Sequence, residues 1–200
     1  TRSALMTGRH PIRTGALQSV PAGLPQGIHP WEKTLPQVLK EAGYATGITG
    51  KWGLAEPDTA GVPNKKGFDE WFGYLNQNHA HTYYTDYLWK NSERFPLTGN
   101  LNGQTNQYSH DLIADWSLDF VKRHKSEPFF LYLAYNAPHF PIEPPAEWLE
   151  KVKQRAPQLE TKRAQNVALV EHLDNRIGRV LAALRENGLE ENTVVVFTAD

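Results

Sequence analysis

Three stretches of this chain repeat apolar residues at helical spacing, and each is followed by a short segment that reads as a strand. In Thr34 to Ala42, Leu35, Val38 and Leu39 form a stripe behind a threonine cap, with Gly43 as the stop. Pro36 falls in the first turn, where its missing N–H costs little. Tyr44 to Thr49 follow as a strand. In Asp111 to His124, Leu112, Ile113, Trp116, Phe120 and Val121 share one side, and Phe129 to Ala134 follow directly after Pro128. In Lys162 to Glu186, Leu169, Leu173, Ile177, Val180, Leu181 and Leu184 recur at helical spacing up to Gly188, and Thr193 to Thr198 follow. Continuous rather than alternating apolar runs predict strands covered on both faces. Three helix-to-strand units predict an α/β fold with a mainly parallel sheet and helices on both faces.

The remaining segments read differently. Ser3 to Met6 predict a short helix stopped by Gly8. Residues 10–32 are rich in Pro and Gly and read as an ordered loop. Residues 55–108 have weak periodicity and many aromatics, which predicts an irregular excursion over one end of the sheet. Residues 137–148 read as a Pro-rich loop. No internal repeat or low-complexity run breaks the chain.

Composition narrows the function classes. Two hundred residues can bury one sizeable core. The formal charge of -1 gives no basic surplus for nucleic acid or an anionic membrane. No apolar run approaches the roughly 20 residues of a membrane helix. With no cysteine, disulfides and thiolate metal sites are excluded within this span.

In open parallel sheets, chemistry gathers beyond the carboxyl ends of the strands. The first predicted strand runs into Gly50-Lys51-Trp52, the second into Asn136-Ala137-Pro138-His139, the third into Ala199-Asp200. A cation, an imidazole and a carboxylate thus stand where strands end. Asn78-His79-Ala80-His81 adds two histidines, which point the same way only if that segment is extended. They read either as loop histidines bonded to backbone or as working groups, a His-x-His metal site included. His10, His29, His110, His124 and His172 have no motif support, and His172 reads as structural or solvated. Trp71, Tyr74, Tyr83, Tyr84 and Trp89 would suit stacking on a sugar or aryl ring, and equally the core of a loop.

Four segments carry a family resemblance. Thr1-Arg2-Ser3-Ala4-Leu5-Met6-Thr7-Gly8-Arg9 resembles the back part of the sulfatase signature. Gly43-Tyr44-Ala45-Thr46 with Gly50-Lys51-Trp52 resembles the second signature, and the stretch from Pro128 to Pro141 resembles the strand and loop that end in a sulfate-facing histidine. Val194 to Asp200 resembles a strand ending in a metal-binding aspartate. The chain is identified on these segments as part of one sulfatase catalytic domain, residues 1–200, with an alkaline-phosphatase-like fold.

The resemblance implies hydrolysis of an aryl or carbohydrate sulfate monoester. The nucleophile is expected to be a formylglycine, made from Cys or Ser three positions before Thr1. Arg2 is then expected to hold that nucleophile, Lys51 to contact it and the sulfate, His139 to act as general acid, and Asp200 to ligate calcium. The family commonly has His where Gly53 stands, and Ala55 also departs from the pattern. His81, in Ala80-His81-Thr82-Tyr83-Tyr84, is favoured over His79 to replace that histidine. Export to a periplasmic or extracellular compartment, and inactivity of the 200-residue piece alone, are further expectations. A phosphonate or phosphodiester hydrolase on the same fold and a non-catalytic binding relative are the alternatives. Neither the particular ester nor the oligomeric state is legible.

Overall fold

A computed structural model describes residues 1–16 and 27–198. Part of the 10–32 loop and Asp200 therefore lie outside the described residues. The helices are α1 (Arg2–Thr7), α2 (Pro11–Thr14), α3 (Leu35–Glu41), α4 (Ser109–His124), α5 (Ala146–Arg155) and α6 (Thr161–Glu186). The strands are β1 (Ala45–Lys51), β2 (Glu70–Tyr74), β3 (Tyr87–Lys90), β4 (Glu93–Pro96) and β5 (Phe129–Ala134). They form one sheet in the order β4-β3-β2-β1-β5. Strand β1 is parallel to both β2 and β5, whereas β3 and β4 are antiparallel additions at the β2 side.

Alternation along β1 assigns the two faces. Thr49 Oγ1 donates to the Ile113 carbonyl of α4, and a Cβ at Gly47 would come within 2.6 Å of the Phe120 ring of α4. Ile48 points the other way, into a cluster with Met6 of α1, Phe68, Trp71 and Phe130. Helices thus cover both faces, and α6 packs outside α4 with α5 against α6. Helix α6 ends as read from sequence: Gly188 has φ of 69°, and the Leu189 N–H donates to the Leu184 carbonyl.

Three expectations need correction. Thr193 to Thr198 is not a buried strand: Val194 and Phe197 are 90% and 84% exposed, and the run has no ladder partner among the described residues. An apolar run becomes a strand only where a neighbouring edge accepts its N–H and C=O groups. Residues 55–108 are less irregular than their composition suggests, since they contain β2, β3 and β4. Four of the five residues of β2 are buried, so it shows no alternation, and β3 and β4 are each only four residues long. Asn91, at φ 54°, turns the β3–β4 hairpin, and its side-chain oxygen accepts the Trp71 N–H. Helix α5 was not legible either. Its stripe is only Trp148, Leu149 and Val152, and it begins directly after Pro144-Pro145.

The carboxyl ends of the parallel strands are level, because Lys51 pairs with Tyr74, and Gly50 with Ala134. Their backbones are also unusually close there. A Cβ at Gly50 (φ 96°) would lie 2.2 Å from the Ala134 oxygen, and one at Gly73 (φ 148°) would lie 2.0 Å from the Gly50 oxygen. Only glycine fits these two positions.

Stability should fall in two stages on acidification. Burial holds His79 and His110 neutral, lowering each from 6.5 to about 4. The unfolded chain binds these protons first, so this stabilisation is full above pH 6.5 and declines toward pH 4. Glu70 is held below its usual 4.5 by Arg123, against burial and with help from His124. Burial opposes ionisation of Asp111, but hydrogen bonds from His172 and Arg176 outweigh it and keep the carboxyl below 3.8. Those contributions are present above the unfolded carboxylate values and vanish as pH falls through the lower folded ones. Thermal unfolding from pH 7.5 to 3 should show both stages, and His79→Gln should flatten the upper one. An upper stage unchanged by that substitution would refute the assignment.

Candidate active site

Lys51 is the last residue of β1 and is 6% exposed. The Arg2 guanidinium, at the start of α1, donates to the Lys51 carbonyl. This ties the first motif to the end of the central strand. The end of the first motif, just beyond α1, is held as well: Arg9 Nη1 donates to both carboxylate oxygens of buried Glu32, at 2.7 and 2.9 Å. Lys66 fixes the loop beneath, donating to the carbonyls of His29, Pro30 and Glu32.

The loops leaving β2 and β5 bring the histidines. After β2 the chain makes a 3-10 turn at His79–His81. Because that turn is not extended, the two rings diverge. His79 Nε2 meets Thr85 Oγ1 at 2.8 Å, and its ring stacks on Tyr87 at 4.2 Å and meets Tyr74 edge-on. It is a packing residue. His81 instead stacks on His139, with centroids 4.9 Å apart and planes 12° from parallel. Burial, then His139 and Lys51, lower the pKa of His81, which keeps its ring neutral near pH 7.

His139 is exposed, between two cis prolyl bonds, Ala137-Pro138 and Phe140-Pro141. Its Nδ1 lies 2.8 Å from the Phe140 carbonyl, which can only accept, so Nδ1 carries the proton and Nε2 is left for a ligand. Tyr83 Oη donates to the His139 carbonyl at 2.9 Å. Phe140, next in the chain, is 73% exposed.

The structure therefore gathers Arg2, Lys51, His81 and His139 at the carboxyl ends of β1, β2 and β5. It does not describe Asp200. Trp71, Tyr74 and Tyr83 are core residues, while Trp89 stacks on Trp71 and Tyr84 packs on Tyr108. Sequence reasoning passed over Tyr83 as a holder of the His139 loop, and Asn136 and His110 behind it. Asn136 adjoins the His139 motif and was open to suspicion; nothing in the sequence marks His110.

Two fixed cations and two imidazoles suit a tetrahedral oxyanion. They do not suit a hard cation, which takes several carboxylate or carbonyl oxygens. Among the described residues no three His, Asp or Glu side chains converge as a metal-binding set. The donor set described here does not fit a calcium ion.

Comparison with known proteins agrees with this chemistry. The Sulfatase family profile matches residues 1–200. The chain belongs to the sulfatase family. This sulfatase is 35% identical to N-acetylgalactosamine-6-sulfatase of Canis lupus familiaris, the alignment covering 100% of this chain and 40% of the relative. It is 34% identical to the uncharacterized sulfatase YdeN of Escherichia coli K12, covering 100% of this chain and 38% of that protein. The crystal structure of Ps i-CgsB in complex with k-i-k-neocarrahexaose superposes with a TM-score of 0.81 at 28% identity. That match covers 94% of this chain and 44% of the other. The fold is alkaline-phosphatase-like, and the chain spans about 40% of the curated relatives it matches.

The departure at Gly53 acquires a geometric meaning. A Cβ there would sit 3.6 Å from Lys51 Cε, so a side chain at position 53 would face the lysine. Gly53 has φ of 71°, a conformation that histidine tolerates better than most residues. In this sulfatase the His81 imidazole lies close enough to Lys51 for the ammonium to help lower its pKa.

Proposed function

We propose that the whole protein hydrolyses a sulfate monoester of a carbohydrate, and that Arg2, Lys51, His81 and His139 line the sulfate. The observation that carries this reading is the convergence of the two cations and two imidazoles on one rim of the sheet. Lys51 and Arg2 stabilise charge on the sulfate oxygens, and they do so strongly because Lys51 sits in a largely water-free place. In the net reaction an oxygen from water becomes bonded to sulfur as the bond from sulfur to the bridging oxygen breaks. His139, with Nδ1–H held by the Phe140 carbonyl and a second proton on Nε2, gives the Nε2 proton to the bridging oxygen, so the products are sulfate and the sugar alcohol. His81, kept neutral beside Lys51, has a lone pair with which to accept a proton. Formylglycine and a calcium ion, which the family implies, would come from outside the described residues, and no step here depends on either.

Two features support a sugar. The relatives include an N-acetylgalactosamine-6-sulfatase, and Ps i-CgsB is seen in complex with k-i-k-neocarrahexaose. In this chain the exposed Phe140 ring stands beside His139, where a pyranose face could stack. The test is sulfate release by the full-length protein from sulfated mono- and oligosaccharides, an aryl sulfate and a phenylphosphonate ester. Sulfated sugars should be turned over fastest. Faster phosphonate turnover, or none of any ester, would overturn the reading.

A further inference from the structure

We propose that His110 and Asn136 act as a positioning clamp, holding the His81 loop against the His139 loop. The inference rests on the hydrolytic reading above, since it concerns two histidines assigned there. Asn136 is 4% exposed and His110 is fully buried. Asn136 Nδ2 donates to the Ala80 carbonyl at 2.8 Å, across the loops from β2 and β5. Ala80 lies directly before His81. The Asn136 carbonyl accepts the His139 N–H at 2.9 Å. One residue therefore bonds to the backbone of both histidine loops.

His110, on α4, orients that amide. Its Nε2 lies 2.5 Å from Asn136 Oδ1 and 3.3 Å from the Ala137 nitrogen. One ring nitrogen cannot donate to the first and accept from the second. The shorter contact decides: Nε2–H donates to Oδ1, and Oδ1 so engaged leaves Nδ2 to donate to Ala80. Reversing the amide would set two oxygens, Asn136 Oδ1 and Ala80 O, against each other. Tyr83 packs 5.2 Å from the His110 ring and bonds the His139 carbonyl, so it closes the same frame. The burial that keeps His110 neutral keeps it in one donor pattern across the working pH range.

Both side chains are buried and the bonds to the two loops go to backbone atoms, so their effect is on geometry. Displacing a general acid by about 1 Å can cost about a hundredfold in rate. Asn136→Ala in the full-length protein should lower kcat on a sulfate ester by about ten- to a hundredfold, with KM changed less than about threefold. His110→Leu should do the same. His110→Gln, whose amide N–H can reach the place of Nε2–H, should restore most of the lost kcat. A clamp also predicts faster amide hydrogen exchange at residues 79–83 and 137–141 in Asn136→Ala, with β1 unchanged. Unchanged exchange in those two segments overturns the clamp whether or not the wild type turns over any ester. Loss of kcat in His110→Gln equal to that in His110→Leu also overturns it. A wild type inert on every ester, with the exchange response intact, instead sinks the hydrolytic reading.

Discussion

Lys51→Met should lower kcat/KM for a sulfate ester by about 10²- to 10³-fold with the fold retained. Methionine keeps the unbranched stem and most of its packing, and removes the ammonium with its charge and its polar contacts. The loss is expected to be large because Lys51 is 6% exposed, so its ammonium meets an anion with little water to screen it. It is expected to be incomplete because the Arg2 guanidinium stands next to it, bonded to the Lys51 carbonyl. Lys51→Arg should not recover the activity. A planar fork on a longer side chain cannot put its charge where the ammonium was. Steady-state kinetics with thermal unfolding on the same samples check this. A loss under about fivefold, with the fold intact, would remove Lys51 from the site.

His139→Ala should lower kcat by about 10²- to 10⁴-fold on a sugar sulfate and far less on a nitrophenyl sulfate. The difference is the point of the experiment. A sugar alkoxide is a poor leaving group and needs a proton as the bond to sulfur breaks, whereas a nitrophenolate leaves without one. The bond from Nδ1–H to the Phe140 carbonyl and the hold of Tyr83 on the His139 backbone present Nε2 outward. Equal losses on both substrates would mean that His139 binds sulfate and does not donate the proton.

Some of this was legible residue by residue. The periodic stretches of α3, α4 and α6 announced themselves, because a stripe facing one neighbour is a local property of the chain. Strand β5 was legible as a continuous apolar run, although only Ala134 of it is fully buried, and β1 as the short strand that follows a helix stopped by Gly43. Lys51 and His139 stood out by their place at strand ends, and Arg2 by its motif. Strand β2 was not legible, since a fully buried five-residue strand containing Gly73 has neither alternation nor length. His79 and His81 could not be told apart by spacing: an extended segment would have aimed them together, and the 3-10 turn sends one into the core and the other onto His139.

By itself the sequence determined helices α1, α3, α4 and α6, the parallel strands β1 and β5, and the residue types gathered at the ends of those strands. These follow from local periodicity and motif, which need no partner to be read. The tertiary structure alone decided which histidine faces the rim, that His110 on a distant helix orients Asn136, and that Val194 to Phe197 remains exposed. Each of these depends on which polar groups of other segments are within hydrogen-bonding reach, and spacing along a chain does not contain that information.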